Sequence, residues 1–357
     1  MKIRHSFINK NMFLGLLVNK IIPLDKITIL LYIFYNKCIR DIRLSKNEKQ
    51  CIFLIYLIPF ISYIINFPDA SLQIFYPSFF LTGASLGSKF KISPLWIRSA
   101  IFINVLIGIV AVILAFMGYE NDFSYSLREK ALPFIYAPYG LSPTQQVFGT
   151  LCILALIISF EFKKYDFIFY VTLLATVLTL NRCTLLFLSL ILFLYKRKIF
   201  YTITLSIIAV IATYWDIFSN ILFSTATLDS RVELRKGAEI SFWQSGELMT
   251  YIFGRGDSNT TEAIAAKTLH GRTYIEHGLD FVVHCYGFLG CMVVVGIILT
   301  FLYYLVKKRQ WKYVLICSFY MLFEQFLTHE LLASSFFFFF LTILLLEKRN
   351  TNKIKCQ

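Results

Sequence analysis

Residues 95–118 read LWIRSAIFINVLIGIVAVILAFMG, an apolar run of the length a helix needs to cross a bilayer. The pattern recurs on both sides. Apolar runs between charged punctuation predict ten spans: 51–67, 71–88, 95–118, 144–162, 165–180, 182–195, 199–222, 280–306, 311–328 and 331–346. The segment 21–36 (IIPLDKITILLYIFYN) either adds an eleventh span or lies as an interfacial helix with its basic residues among headgroups. The expected fold class is therefore all-α, a polytopic transmembrane helix bundle of about 10–11 spans with one large extramembrane loop.

Composition agrees with that class. Of the 357 residues 57% are hydrophobic and only 16% charged, and the mean hydropathy is +0.66. Soluble domains carry nearer a quarter charged residues. The 37 Phe and 21 Tyr suit surfaces that meet lipid and its interfaces. A net charge of +14 would suit a nucleic-acid binder in a soluble chain. Here the plainer reading is basic inner loops facing anionic lipid, with no nucleic acid as partner and the bilayer itself as the surrounding medium. The eight cysteines include no CxxC pair and mostly sit inside apolar runs, so they read as small hydrophobes, with no metal site and no disulfide frame. No cleavable signal peptide is expected, because Lys20, Asp25 and Lys26 interrupt the apolar run after the basic residues 1–10.

Lys and Arg give the orientation. The turns 37–49 (KCIRDIRLSKNEK), 89–91, 163–164, 196–198 and 307–312 and the tail 348–355 are basic, and all fall on one side of the ten-span arrangement. The alternate turns 66–70 and 328–331 carry no Lys or Arg, and turn 181–182 carries only Arg182. Both termini are then expected in the cytoplasm. The chain divides into an N-terminal cytoplasmic or interfacial segment (1–50), a transmembrane bundle (51–223) with an outer loop (119–143), the large outer loop (224–279), C-terminal transmembrane helices (280–346) and a cytoplasmic tail (347–357). No internal repeat is visible.

The outer loop 224–279 concentrates the chemistry. It holds Arg231, Arg235, Arg255, Arg272, His270, Glu276 and His277, with Asp280 just beyond. Arg231 and Arg235 are four apart and share a face on a helix, for which Ser230 and Glu233 form a capping-box pattern. Paired guanidiniums suit a phosphate, since the planar fork binds two oxygens at once. The alternative is a solvated helix or cations resting on lipid headgroups. Arg182 opens a span after a nearly chargeless turn on the same side; snorkelling is its bland explanation. Glu276, Asp280 and His284 follow i, i+4, i+8, with His277 beside them, so one helix through this stretch would carry a carboxylate–imidazole face into the outer leaflet. Such a face either deprotonates a hydroxyl or pairs with the loop arginines to hold the loop in place. The glycines of Gly254-Arg255-Gly256 would let backbone N–H groups approach a phosphate. Glu324, Thr328, His329 and Glu330 gather at another outer helix end, and Arg128 lies in the other outer loop. The phosphate-loop motif GxxxxGK[ST] and the zinc-protease motif HExxH are both absent.

These residues resemble a known family, the bacterial O-antigen polymerases and the superfamily they share with O-antigen ligases. Asn181-Arg182-Cys183-Thr184 before LLFLSLILFLY resembles a Ser-Arg-Thr helix opening. Ser230-Arg231 through Phe253-Gly254-Arg255-Gly256 resembles an arginine-bearing amphipathic helix followed by a Phe-Gly-x-Gly turn. Ile275-Glu276 through Tyr286-Gly287-Phe288-Leu289-Gly290 resembles a Glu-containing helix entry with a Gly-x-x-Gly signature. The coverage is best over 140–306. Ligases often carry His-Asn or His-Ser before that entry; here Gly271 follows His270 and Gly278 follows His277, which points away from a ligase and leaves the catalytic histidine open.

The resemblance implies a membrane-embedded glycosyltransferase of the bacterial cytoplasmic (inner) membrane, active on its periplasmic side. Its substrates would be polyprenyl-diphosphate-linked oligosaccharides, joined as repeat units of a surface polysaccharide such as the O-antigen of lipopolysaccharide, with undecaprenyl diphosphate as the leaving group and no cofactor. Arg182, Arg231 and Arg235 would stabilise the departing diphosphate, with Arg255 or Arg272 as helpers. Glu276, His277, Asp280 or His270 would orient or deprotonate the acceptor hydroxyl, and His284, Glu324 and Arg128 would support. The resemblance leaves room for a protein that regulates chain length. The alternatives are a ligase passing polymer to the lipid A core, a flippase or transporter for the same lipid-linked units, and a non-catalytic assembly protein.

Overall fold

The computed structural model describes residues 2–18, 24–89, 92–127, 132–213, 235–267, 273–275, 277–325 and 328–355. The chain forms two compact units: Met1–Ile42, Gly83–Phe223 and Ala333–Gln357 make the first, and Arg43–Thr82 with Ser224–Leu332 the second. Helix dominates both. Among the described residues four helices are long and apolar enough to cross a membrane: Lys46–Ile65, Pro94–Phe116, Gln145–Phe162 and Gly278–Lys307.

The helix Gln145–Phe162 is the centre of the first unit. Every residue from Val147 to Phe160 is buried, so its apolar character on all sides is met by protein. Pro94–Phe116, Phe167–Leu178, Arg182–Tyr195 and Ser334–Lys355 pack around it. Short polar caps set where these helices start. Ser93, Thr144, Asp166 and Asn181 each accept a hydrogen bond from a first-turn N–H of the helix that follows. The expected spans 165–180 and 182–195 come out as helices of 12 and 14 residues. They are separated by Leu180 at φ +45° and are shorter than a full crossing.

One element differs from the expected all-α bundle. The expected outer loop 119–143 contains an antiparallel hairpin, Ser124–Leu127 paired with Leu132–Pro138. Its base is tied to the Pro94–Phe116 helix. The side chain of Asn104, fully buried in that apolar run, accepts from Leu141 N–H (2.7 Å) and donates to Ser142 Oγ (2.9 Å). Asn121 donates to the Ala111 carbonyl at 2.9 Å. The N-terminal segment is also structured: the helices Lys2–Leu17 and Leu24–Phe34 pack on each other, and Phe13 and Tyr32 meet Phe337 at ring distances of 6.2 and 5.7 Å.

The basic turns of the first unit converge at one end. Arg98, buried, makes two hydrogen bonds to Asp166. Tyr195 donates to Glu161 (2.6 Å), Arg349 covers the Phe162 ring (3.6 Å), Lys196 covers Tyr165 (4.6 Å) and Lys348 donates to the Ser88 carbonyl (2.6 Å). Turns far apart in sequence thus share one polar layer.

In the second unit Lys46–Ile65 packs on Gly278–Lys307. The latter is broken at Gly287 (φ 66°, ψ −169°), a conformation open only to glycine. The expected uninterrupted span 280–306 is therefore two helical pieces around a break.

Candidate active site at the entry of the broken helix

His277 is the N-cap of the broken helix, and Asp280 sits in its first turn. The helix begins at Gly278 after an extended His277, and of the expected i, i+4, i+8 face it carries Asp280 and His284. Asp280 is buried, its side chain 3% exposed. Its Oδ2 accepts from Arg235 Nε at 2.9 Å and lies 3.8 Å from His277 Nδ1. A carboxylate at this place is favoured twice, by the guanidinium and by the N–H groups of the helix start. Gly278 is needed there, because a Cβ would run into the Gln325 carbonyl.

Arg235 stands in helical backbone that continues as a π-turn, Glu239–Trp243, closed by the Gln244 N–H donating to the Glu239 carbonyl (2.9 Å). The wider turn splits the residues by face. Ala238, Ser241 and Phe242 are buried against the unit. Arg235, Lys236, Glu239 and Trp243, with Asp280, line an open cleft of about 470 Å³.

His284 is buried and does not line this cleft. Its Nδ1 lies 2.8 Å from the Asp257 carbonyl and its Nε2 2.8 Å from Ser241 Oγ. A carbonyl only accepts, so Nδ1 carries the proton and Nε2 accepts from Ser241. This imidazole is a bracket between the π-turn, the 257 loop and the helix.

Gly254-Arg255-Gly256 is spent in the same way. Arg255 N–H donates to the His284 carbonyl (2.6 Å) and Gly256 N–H to that of Cys285 (3.2 Å). The Ser62 hydroxyl also donates to Cys285 (2.5 Å), and Asn66 donates to the Gly254 carbonyl (3.0 Å). These N–H groups were expected at a phosphate; they satisfy the carbonyls beside the break at Gly287 instead. The Arg255 guanidinium donates to the Ser241 carbonyl (3.1 Å) and pairs with Glu247 (3.5 Å), which makes it a brace for the π-turn.

Arg182 is exposed at the first position of the Arg182–Tyr195 helix and belongs to the first unit. Glu324 is buried at the end of the π-turn Phe319–Glu324 in the second unit, where Thr328 donates to the Glu324 carbonyl (3.2 Å) and Tyr320 to Glu330 (3.3 Å). Arg231, Arg272, His270, Glu276 and Arg128 lie outside the described residues, as do Ser230 and Glu233. Among the described residues no group of three or more His, Cys, Asp or Glu is placed to hold a metal. Sequence reasoning passed over Ser241, Glu239 and Trp243. The signal was present, since Arg235, Glu239 and Trp243 stand at i, i+4, i+8 and, apart from Lys236, the positions between them are small or apolar.

No protein-family model, curated protein or solved structure matches the chain.

Proposed function

We propose that the chain is a glycosyltransferase of the bacterial cytoplasmic membrane that joins polyprenyl-diphosphate-linked oligosaccharide repeat units on the outer face, as an O-antigen polymerase does. The observation that carries this reading is the cleft at the helix entry, where Arg235 and Lys236 stand beside a histidine–carboxylate pair, His277 and Asp280. The apolar helices support a membrane setting, and the shared layer of basic turns supports assigning that end of the first unit to the cytoplasm.

In the reaction the bond between the anomeric carbon and the diphosphate oxygen breaks, and the diphosphate leaves with the electron pair. Charge grows on its oxygens, and the Arg235 guanidinium supplies fixed cationic donors for it. A hydroxyl oxygen of the acceptor unit forms the new bond to that carbon. Its proton passes to His277, the imidazole beside Asp280 (Nδ1 to Oδ2, 3.8 Å), and Asp280 favours the imidazolium that results.

The test is the polymer made by cells carrying Arg235→Ala or His277→Ala. Each variant should reach the membrane at normal level and leave a single repeat unit on the lipid A core. Long polymer from both variants would sink the proposal. A core with no repeat at all would assign the chain to the ligase instead.

A further inference from the structure

The cleft contains two groups for which a diphosphate has no use. Glu239 repels phosphate, and the indole of Trp243 offers it no donor except one N–H. Both line the cleft on the same turn as Arg235. We infer that Glu239 and Trp243 form a sugar-recognition subsite beside the diphosphate contacts, which takes the first pyranose of the lipid-linked unit. This rests on the reading of Arg235 as a diphosphate contact and adds the sugar to it.

The geometry suits a pyranose. Trp243 is 43% exposed although its neighbours Ser241 and Phe242 are buried. Its ring plane is held by Phe242 (5.2 Å, 87°) and Phe288 (5.8 Å, 63°), and its carbonyl accepts from the Tyr251 hydroxyl at 2.9 Å. A fixed, half-open aromatic plane is a platform for the C–H-bearing face of a sugar ring, and little entropy is lost when the ring lands on it. Glu239 is likewise set in place: Gln244 Nε2 donates to its Oε1 at 3.1 Å, and Oε2 has no partner among the described residues. A carboxylate so held accepts hydroxyl or amide protons of a sugar. The π-turn brings the two together, since positions i and i+4 fall on one side of it.

The experiment is isothermal titration of the purified full-length protein in detergent. The ligands are farnesyl diphosphate and farnesyl-diphosphate-linked glucose, galactose, N-acetylglucosamine and N-acetylgalactosamine. At least one sugar should tighten binding by about tenfold over the bare diphosphate. Trp243→Ala should remove that gain and leave bare farnesyl diphosphate unaffected, Trp243→Phe should keep most of it, and Glu239→Gln should change which sugar is preferred. Equal binding of all five ligands overturns the subsite. So does a loss in Trp243→Ala and Trp243→Phe that is as large for the bare diphosphate, since the indole would then be touching the prenyl chain. Arg235→Ala reads the underlying proposal separately: it should weaken bare and sugar-linked ligands alike. Sugar-dependent, Trp243-dependent binding that ignores Arg235→Ala would retain the subsite and reject the diphosphate site.

Discussion

Arg255 and His284 meet backbone to backbone, with the Arg255 N–H donating to the His284 carbonyl at 2.6 Å. The contact explains why an apolar helix can be broken at Gly287. Within a bilayer each unsatisfied backbone group costs several kcal/mol, so a break survives only where protein supplies the partners. Here Arg255, Gly256 and Ser62 supply them. The Gly-Arg-Gly turn and the break are therefore one structural unit.

Gly287→Ala should expose that dependence. The backbone is in a region only glycine occupies, and a Cβ would land on the Ile252 carbonyl and the Phe253 nitrogen. Strain alone costs about 1–3 kcal/mol, and neither neighbour is a flexible side-chain tip that could swing away. Thermal unfolding of the detergent-solubilised protein should show a clear drop. Gly254→Ala should show a similar drop, since its Cβ would meet Cys285 and Tyr286 backbone, and the double variant should fall short of the sum. Wild-type thermal stability in either single variant would contradict the close approach.

Much of this was legible in the sequence and some was not, for identifiable reasons. Long apolar runs such as 95–118 and 144–162 announce helices, and Ser93 and Thr144 mark their starts because each offers an oxygen to orphan N–H groups. The hairpin was hidden because Pro133, Pro138 and Gly140 read as loop punctuation and its first strand has only four residues. The break at Gly287 was hidden because a lone glycine in an apolar run is usually tolerated in a helix; its cause lies some thirty residues upstream in Gly254 and Gly256. In the site, Arg235 and Asp280 were both readable as candidates, and their pairing was one of the two readings open. That His284 is a bracket follows from Ser241 and the Asp257 carbonyl, which no spacing rule connects to it.

The Arg235–Asp280 pair should respond asymmetrically to substitution. Arg235 is 54% exposed and Asp280 3%. Asp280→Asn leaves a guanidinium that water can solvate, so its stability cost should stay within about 1 kcal/mol. Arg235→Ala leaves a buried carboxylate without its cation and should cost about 1–3 kcal/mol. The double variant should be more stable than Arg235→Ala alone, a sign that the two terms are coupled. A thermal-shift cycle over the four proteins measures this, and strict additivity would mean the ion pair carries no weight.

Ser241→Ala removes the only hydrogen bond to His284 Nε2 among the described residues and leaves that nitrogen buried. The expected cost is about 1–3 kcal/mol. Because the change also loosens the turn that carries Glu239 and Trp243, turnover should fall further than the loss of folded protein explains. Measuring activity per folded molecule separates the two effects. Full stability with Ser241→Ala would place the bracket elsewhere.

His329 gives a pH prediction. It lies in the turn between the apolar stretches 311–328 and 331–346, with its ring 4.0 Å from that of Phe281. Among the described residues neither ring nitrogen has a hydrogen-bond partner, and burial pushes its pKa down to about 3. Unfolded, the same imidazole titrates near 6.5. Between those values the unfolded chain binds a proton that the folded chain refuses, so stability is full above about pH 6.5 and falls as pH drops toward 3, by about 1.4 kcal/mol per unit at most. His329→Leu removes both the orphaned nitrogens and the titration. It should raise stability by about 1–2 kcal/mol at pH 7 and flatten the decline between pH 6.5 and 4, while other carboxylates keep their own acid transitions. Thermal unfolding across that range, native against His329→Leu, checks it. A variant no more stable than the native protein, with the same slope, would mean that the ring is hydrated or bonded in solution.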